Sequence, residues 1–473
     1  MKKILSALLG LLLSGAVEAG TLYVDTGGNA ANSGSTDTNS PTLTGSAATV
    51  ASTVVSLDGS PDLSGVVTTA GATQSTIFLA DATNSNQKIF WITAKDDDLD
   101  TVTVSVAPTG VVSSAWRIGG RHVLTNASIE GALRAGDTVI FNNSPASGTG
   151  VRWTFRTAGT TAAGYCTIRG KTGVRPTLTT TDTANCIAAS SALAKIQNLQ
   201  LVQQGASGNA ILLSGSGLVE NVKITDFGGA GITMTSQGNK VLNSEITGGD
   251  GVAIDMGTAS GGVIAGNYIH DNAAGAIANG GTSPSLAIVG NIFDTNGTGA
   301  HINLSGSIAS QQGFIFVYGN TFYGNNTNAL ITADADASAI LQNNIFLDNG
   351  DTGTEYNVNW PSGDLANNGY SGYNVYSQAG ARGGTNVVNF TLGATDLTSD
   401  PLITDEANAD FTLATTSPAK ATGYPGAFIG GSTSYLDMGA VQRQEGAGDV
   451  VESTGGCTEM KVGGGGCGGI SIQ

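Results

Sequence analysis

The chain has 473 residues, 70 of them Gly and only 12% charged, and its 36 Asp and Glu against 19 Lys and Arg leave a net charge of −17. So negative a surface repels nucleic acid and anionic lipid. A chain of this length strains a single globular core unless the fold grows by repetition, and its many glycines suit frequent tight turns.

The first predicted element is an export signal. Met1-Lys2-Lys3 is basic, Ile4 to Leu13 is an apolar run too short to span a bilayer, and Val17 and Ala19 are the small residues of a cut after Ala19. Residues 1–19 are therefore read as a signal peptide, and no other apolar run is long enough for a transmembrane segment. The expected location is secreted or at the cell surface. Residues 20–46 hold a short strand from Thr21 and a Gly/Asn/Ser-rich loop. Residues 47–113 read as a small inserted β-module, because strand-like pieces such as Thr76-Ile77-Phe78-Leu79 and Thr101-Val102-Thr103-Val104 alternate with polar turns. Residues 114–164 read as a cap: a short helix from Ala127 to Arg134, then a strand entered at Gly136. A cap covers the open first coil, whose bare edge would otherwise invite another strand.

Repeats fill residues 165–442. An apolar anchor recurs at Leu201, Ile224, Ile246, Ile269, Phe293, Phe322 and Phe346, in steps of 23, 22, 23, 24, 29 and 24 residues. Asparagine stands two before the anchor at Asn267, Asn291, Asn320 and Asn344, and three after it at Asn272, Asn296, Asn325 and Asn349. In the other half of each coil a glycine (Gly231, Gly251, Gly275, Gly299) precedes an alternating strand. A period near 23 fits one coil of three short strands and their turns. Leucine-rich and helical-pair repeats are set aside, since neither the leucine pattern nor amphipathic helices are present. Stacked parallel strands lie about 4.8 Å apart, so identical residues form columns. Columns of asparagine can satisfy one another and the turn backbone. The fold class is all-β: a single-stranded parallel β-helix.

Segments such as Gly266-Asn267-Tyr268-Ile269-His270-Asp271-Asn272 and Asn343-Asn344-Ile345-Phe346-Leu347-Asp348-Asn349 resemble those of right-handed parallel β-helix repeat proteins of the pectate-lyase-like superfamily. The closing pieces Asp400-Pro401-Leu402-Ile403, Asp410-Phe411-Thr412-Leu413, Ser417-Pro418-Ala419 and Asp437-Met438-Gly439-Ala440-Val441 also resemble the ends of many such secreted proteins. The resemblance implies a right-handed coil. It leaves function open, because the fold hosts pectate and alginate lyases, polygalacturonases, phage tailspikes and adhesins.

Chemistry is sought on outward positions, which alternate along each strand. Four residues past the glycine come Asp255, Asn279 and Asn303, with Thr332 in the next coil; His301 lies two before Asn303 and is expected to face out with it. This polar strip is the predicted substrate-binding face, since sugar hydroxyls pair with amides and carboxylates. Beside the anchor, His270 is expected to stack on Asp294 with Asp271 diagonal to it. A carboxylate pair about 5–9.5 Å apart is what glycoside hydrolysis needs, so Asp271, Asp294 and His270 are the catalytic candidates. Asp334 and Asp336 alternate on one side of a loop and are the candidate Ca²⁺ ligands.

The family's enzymes find little counterpart. The paired-aspartate and Gly-His-Gly signatures of polygalacturonases are missing, and from Val241 to Ala381 there is no Lys or Arg to act as a lyase base. The favoured function is thus a binding or structural protein that meets a polysaccharide or other extended polymer along its side. The alternative is a polysaccharide hydrolase or lyase. A spike-like role would imply a trimer, and the residues leave the oligomeric state open. In an oxidising compartment four cysteines suggest disulfides: Cys166 with Cys186, about one repeat apart, and Cys457 with Cys467, closing a loop in the Gly-rich tail of residues 443–473. The export signal is checked by intact mass: exported protein should begin at Gly20, and recovery of Met1 refutes the cut.

Overall fold

The computed structural model describes residues 21–24, 42–69, 74–79, 89–109, 114–118, 136–143, 153–155, 164–190, 193–257, 259, 261–278, 285–297, 301–304, 314–325, 331–333, 338–349, 357–359, 369–377, 387–388, 392–424 and 437–442. The signal segment, the helix expected at Ala127 to Arg134 and the Gly-rich tail with Cys457 and Cys467 lie outside them. Among the described residues the structure is all β, save one turn of 3₁₀ helix at Glu406–Asn408. No helix among them is long and apolar enough to cross a membrane. Two compact units form, one of residues 1–202 with 214–217, the other of residues 203–213 with 218–473.

In the first unit, Thr21–Val24 pairs in parallel with Thr138–Phe141, which pairs with Cys166–Gly170, which pairs with Ala194–Gln197. Parallel stacking therefore begins at Thr21, well before residue 165. Between those first two strands the chain makes a closed antiparallel barrel, in the order Leu43–Ala51, Val54–Leu57, Thr101–Val104, Ile89–Asp96, Thr76–Leu79, Ser114–Ile118. The module is wider than residues 47–113 because the strands that close it begin at Leu43 and end at Ile118. Alternating residues fill it: Val55, Leu57, Ile77, Leu79, Phe90, Ile92, Val102, Val104 and Trp116 are buried together. Asp58 ties the seam. It accepts hydrogen bonds from the Ser46 hydroxyl at 2.7 Å, the Trp116 indole N–H at 2.7 Å and the Ala47 N–H at 3.1 Å, which hold its carboxyl well below the usual range. The neighbouring strand must be glycine at Gly45, where a Cβ would come within 2.1 Å of the Trp116 indole nitrogen.

The expected Cys166–Cys186 disulfide does not form. Cys166 opens a strand whose neighbour in the next coil is Ala194, whereas Cys186 precedes Ile187–Ala189, which pairs with Trp153–Phe155 in another sheet. Twenty residues fall short of a full coil, so the two sulfurs face different walls. Both are free and buried, and burial pushes each thiol up to about 12, with Asp137 adding to the effect at Cys166.

In the second unit the chain cycles through three parallel sheets. The first runs from Asn239–Leu242 to Gly369–Gly372, the second from Lys223–Thr225 to Val375–Ser377, the third from Ile211–Leu213 to Val387–Val388. The second sheet aligns Ile224, Ile246, Ile269, Phe293, Phe322, Phe346 and Tyr376 in one inward column, as the repeat demands. Its rings stack face to face, with centroids 4.8 Å apart from Phe293 to Phe322, Phe322 to Phe346 and Phe346 to Tyr376. Turns repeat as faithfully. Asn221, Asn243, Gly266, Gly290, Gly319, Asn343 and Tyr373 leave the first sheet in the left-handed region, and Asp226, Gly248, Asp271, Thr295 and Gly324 leave the second likewise. Asn, Asp and Gly tolerate that conformation.

Between these sheets runs a buried ladder. The Asn267 side-chain amide donates to Asn291 Oδ1 at 2.9 Å, Asn291 to Asn320 at 3.0 Å, Asn320 to Asn344 at 3.0 Å, Asn344 to Asn374 at 2.9 Å and Asn374 to Asp396 Oδ1 at 3.1 Å. Each amide also donates to a backbone carbonyl of the coil behind, Asn291 to Ile264 and Asn320 to Ile288. A second, shorter ladder joins Asn272 to Asn296 at 2.8 Å.

The closing motifs form a strap over the outer side of the second sheet. Ile403–Asp405 and Asp410–Leu413 pair antiparallel. Phe411 and Val441 pack with Tyr268 and Ile292, while Leu413, Ala419 and Met438 pack with Ile345, Leu347 and Val375. The Gly439 N–H reaches Asn343 O at 2.6 Å and the Ala440 N–H reaches Thr321 Oγ1 at 3.0 Å. Glycine is required at Gly439, whose φ is +94° and whose Cβ would sit 2.7 Å from Ile345. Truncating the central ring, Phe322→Ala, should cost about 3–5 kcal/mol. An unchanged denaturation midpoint would show that the ring column does not carry the core.

Candidate functional site

The three outer faces differ in chemistry. On the first sheet Val263, Ala287, Phe316, Ile340 and Tyr370 fall in one outward column, largely apolar. The second sheet is roofed by the strap from Tyr268 onward. In the third sheet Thr233, Asp255, Ala278, Asn303, Thr332 and Asn359 occupy one column in strict register, and Thr233, Asp255, Ala278 and Asn303 are turned outward.

The predicted binding strip is thus partly retained. Asp255 is half-buried and accepts the Gly257 N–H at 2.8 Å, and Asn303 is exposed one coil beyond Ala278. Asn279 lies outside the described residues, and the register gives its expected place to Ala278. His301 is not on this face. It stands at the corner before the strand Ile302–Leu304, fully buried beside Phe293 and Phe322, whose rings lie 6.0 and 6.2 Å away. The corner turns its side chain inward, so alternation counted back from Asn303 fails there. Asn296 Nδ2 lies 3.1 Å from His301 Nδ1, and His301 Nε2 lies 3.2 Å from Tyr323 O. One neutral tautomer, protonated at Nε2, satisfies both contacts. Burial drives the imidazole down to about 3. Asp334 and Asp336 lie outside the described residues, and among the described residues no cluster of His, Cys, Asp or Glu is arranged to hold a metal ion.

The second candidate group comes together as expected and gains members. His270 and Asp294 are register partners on adjacent rungs. Asp271 Oδ2 lies 2.8 Å from His270 Nδ1, and Thr247 Oγ1 lies 3.2 Å from the same nitrogen. Across the ring, Glu245 Oε1 faces Nε2 at 3.5 Å and also receives the Lys223 ammonium at 2.7 Å. Tyr268 stacks on His270 with centroids 4.0 Å apart, and its hydroxyl donates to Asp294 Oδ2 at 2.8 Å. Asp294 Oδ1 takes the Thr295 hydroxyl at 2.5 Å. His270 and Lys223 together draw Glu245 down to about 2 against the pull of burial. Burial, then the Asp294 carboxylate, raises Tyr268. The carboxylates that hydrolysis would need are thus engaged by groups of the protein itself.

The places of Glu245, Tyr268 and Lys223 around His270 were not foreseen from the sequence. The signal was present, since each immediately precedes an anchor, at Ile246, Ile269 and Ile224.

A family model described as a right handed beta helix region matches residues 184–346. Comparison with curated proteins finds no match. Among solved structures, pectate lyase Pel9A is similar at 13% identity and TM-score 0.47, over 69% of this chain and 92% of that one. The tailspike protein gp49 from Pseudomonas phage LKA1 is similar at 11% identity and TM-score 0.19, over 80% and 71%. The Gp54 tailspike of Acinetobacter baumannii bacteriophage AP22, solved in complex with A. baumannii capsular saccharide, is similar at 11% identity and TM-score 0.20, over 77% and 76%. With three parallel sheets and the family match, the solenoid is a right-handed parallel β-helix.

His301 makes a testable contribution to acid stability. Its folded value lies below the ordinary 6.5, so the unfolded chain binds the proton more readily. The stability it supports is complete above about pH 6.5 and falls as pH drops toward 3. Denaturant midpoints at pH 7.5 and 4.5 should therefore differ less in His301→Asn than in the native protein. An equal difference in both would show that His301 does not bear on acid unfolding.

Proposed function

We propose that the protein is exported and binds an extended polysaccharide along the outer side of its third sheet. The observation that carries this reading is the register column from Thr233 through Asp255, Ala278 and Asn303 to Thr332 and Asn359. Successive rungs lie about 4.8 Å apart, so such a column presents small and polar groups in a straight line that follows a chain of sugars. The other two faces suit a polymer of hydroxyls less well, one being apolar and the other covered from Tyr268 onward.

Charge narrows the ligand. The coils between Val241 and Ala381 carry Glu245, Asp250, Asp255, Asp271, Asp294 and further acids with no Lys or Arg. Neutral glycans fit that surface, and a polyanion would need Ca²⁺ to bridge it. A hydrolase or lyase would have to act through Asp271 and Asp294, whose oxygens serve His270, Tyr268 and Thr295, and no observation favours that reading over binding.

Retention on a panel of immobilised polysaccharides tests the proposal, with product ends assayed alongside. Asp255→Asn combined with Asn303→Ala should weaken retention of neutral glycans about tenfold, the effect of losing one or two hydrogen bonds. Folding stability should stay within about 0.5 kcal/mol. Undiminished retention in that variant would remove the third sheet as the binding face.

A further inference from the structure

The cluster around His270 has a feature that neither binding nor hydrolysis explains. Both imidazole nitrogens face carboxylates, Nδ1 toward Asp271 and Nε2 toward Glu245, in a side chain only 15% exposed. A neutral imidazole has one N–H and one lone pair. A lone pair on either nitrogen would face a carboxylate, and only the Thr247 hydroxyl, 3.2 Å from Nδ1, could donate to one, so the two carboxylates favour the imidazolium. Three coils meet at this ring: Glu245 and Thr247 on one, Tyr268 and His270 with Asp271 on the next, Asp294 on the third. Tyr268 is the link outward. One face of its ring lies on His270, and it packs against Phe411 of the strap at 6.3 Å. A cation on the face of a tyrosine ring is attracted to it.

We propose that His270 is a proton-operated latch, which as imidazolium fixes Tyr268 beneath the strap and on deprotonation loosens the strap from the second sheet. The released proton goes to solvent. Asp271, 64% exposed, is free to swing toward water, and the Thr247 hydroxyl takes its place as donor to Nδ1. The groups facing the ring are Glu245, Asp271, Thr247 and Tyr268, with Lys223 acting through Glu245 and Asp294 through Tyr268. From the strap side, Tyr268 packs on Phe411 within a cluster that includes Val441 and against which Ile403, Ala409 and Ala440 pack, and none of these strap residues titrates.

The sign follows from the geometry. Burial opposes the charge, yet Glu245 and Asp271 outweigh it and raise His270 above its ordinary value. A raised value means that the folded protein holds the proton more tightly. The latch is therefore fully set below the unfolded value and released as pH climbs through the folded one.

The chain carries three histidines, so the His270 imidazole resonance can be assigned by substitution and followed against pH. Amide exchange of residues 403–413, corrected for base catalysis, is read on the same samples. Exchange of the strap should quicken about five- to hundredfold across the His270 midpoint, the usual range for coupled sites. Glu245→Gln and Asp271→Asn should each move both midpoints down together, and His270→Gln should make strap exchange independent of pH. Should His270→Gln not fold, the paired movement in Glu245→Gln decides the matter. Corrected strap exchange that stays flat through the His270 titration, or a strap midpoint that ignores Glu245→Gln, overturns the proposal.

Discussion

The buried asparagine ladder is the interaction on which the solenoid depends. A parallel stack gains nothing from backbone pairing that would fix one register over another, and its inward residues are similar enough to slip. The ladder removes that freedom. Each amide must meet the amide of the next coil and a carbonyl of the coil behind, as Asn291 does with Asn320 and Ile264. A coil displaced by one residue would bury an unpaired amide, which costs about 1–3 kcal/mol. With the register set, the column from Ile224 to Tyr376 aligns of itself, and so do the outward columns that carry chemistry.

This dependence explains what was legible beforehand. Anchors and asparagines meet the same surroundings in every coil, so chemistry repeats as spacing, and both columns could be read from the chain. Outward positions meet solvent and repeat loosely. Counting from glycine placed Asn279 in the third-sheet strip, whereas counting from the inward Ile254, Ile277 and Ile302 gives Ala278. His301 failed for a related reason: strand alternation was carried one step into a corner, where the side chain turns in. Cys166 and Cys186 seemed one repeat apart, but a spacing shorter than a coil moves a residue onto a different wall. The barrel's limits were hidden because Leu43–Ala51 alternates only weakly between half-buried and exposed positions.

Two histidines in one unit, His270 and His301, show how the same side chain takes opposite charge states. His301 sits among aromatic rings with one donor and one acceptor, a combination that a neutral imidazole meets. His270 sits between two carboxylates, which favour the protonated ring. Sequence alone placed both on outward strips. What separates them is the set of partners each ring meets, the Asn296 amide and Tyr323 carbonyl for His301 and the Asp271 and Glu245 carboxylates for His270.

The ladder also has a direction. From Asn267 to Asn374 every side-chain amide points its N–H toward the C-terminal end, so the local dipoles add. At that end stands Asp396, which accepts from Asn374 on one oxygen and from the Ser371 hydroxyl and the Gly393 N–H on the other. A carboxylate has no hydrogen to pass on. It receives the aligned amides at their positive end and ends the relay, in the manner of a chain-terminating monomer. An asparagine at that place would have an N–H to offer onward, and the aspartate has none.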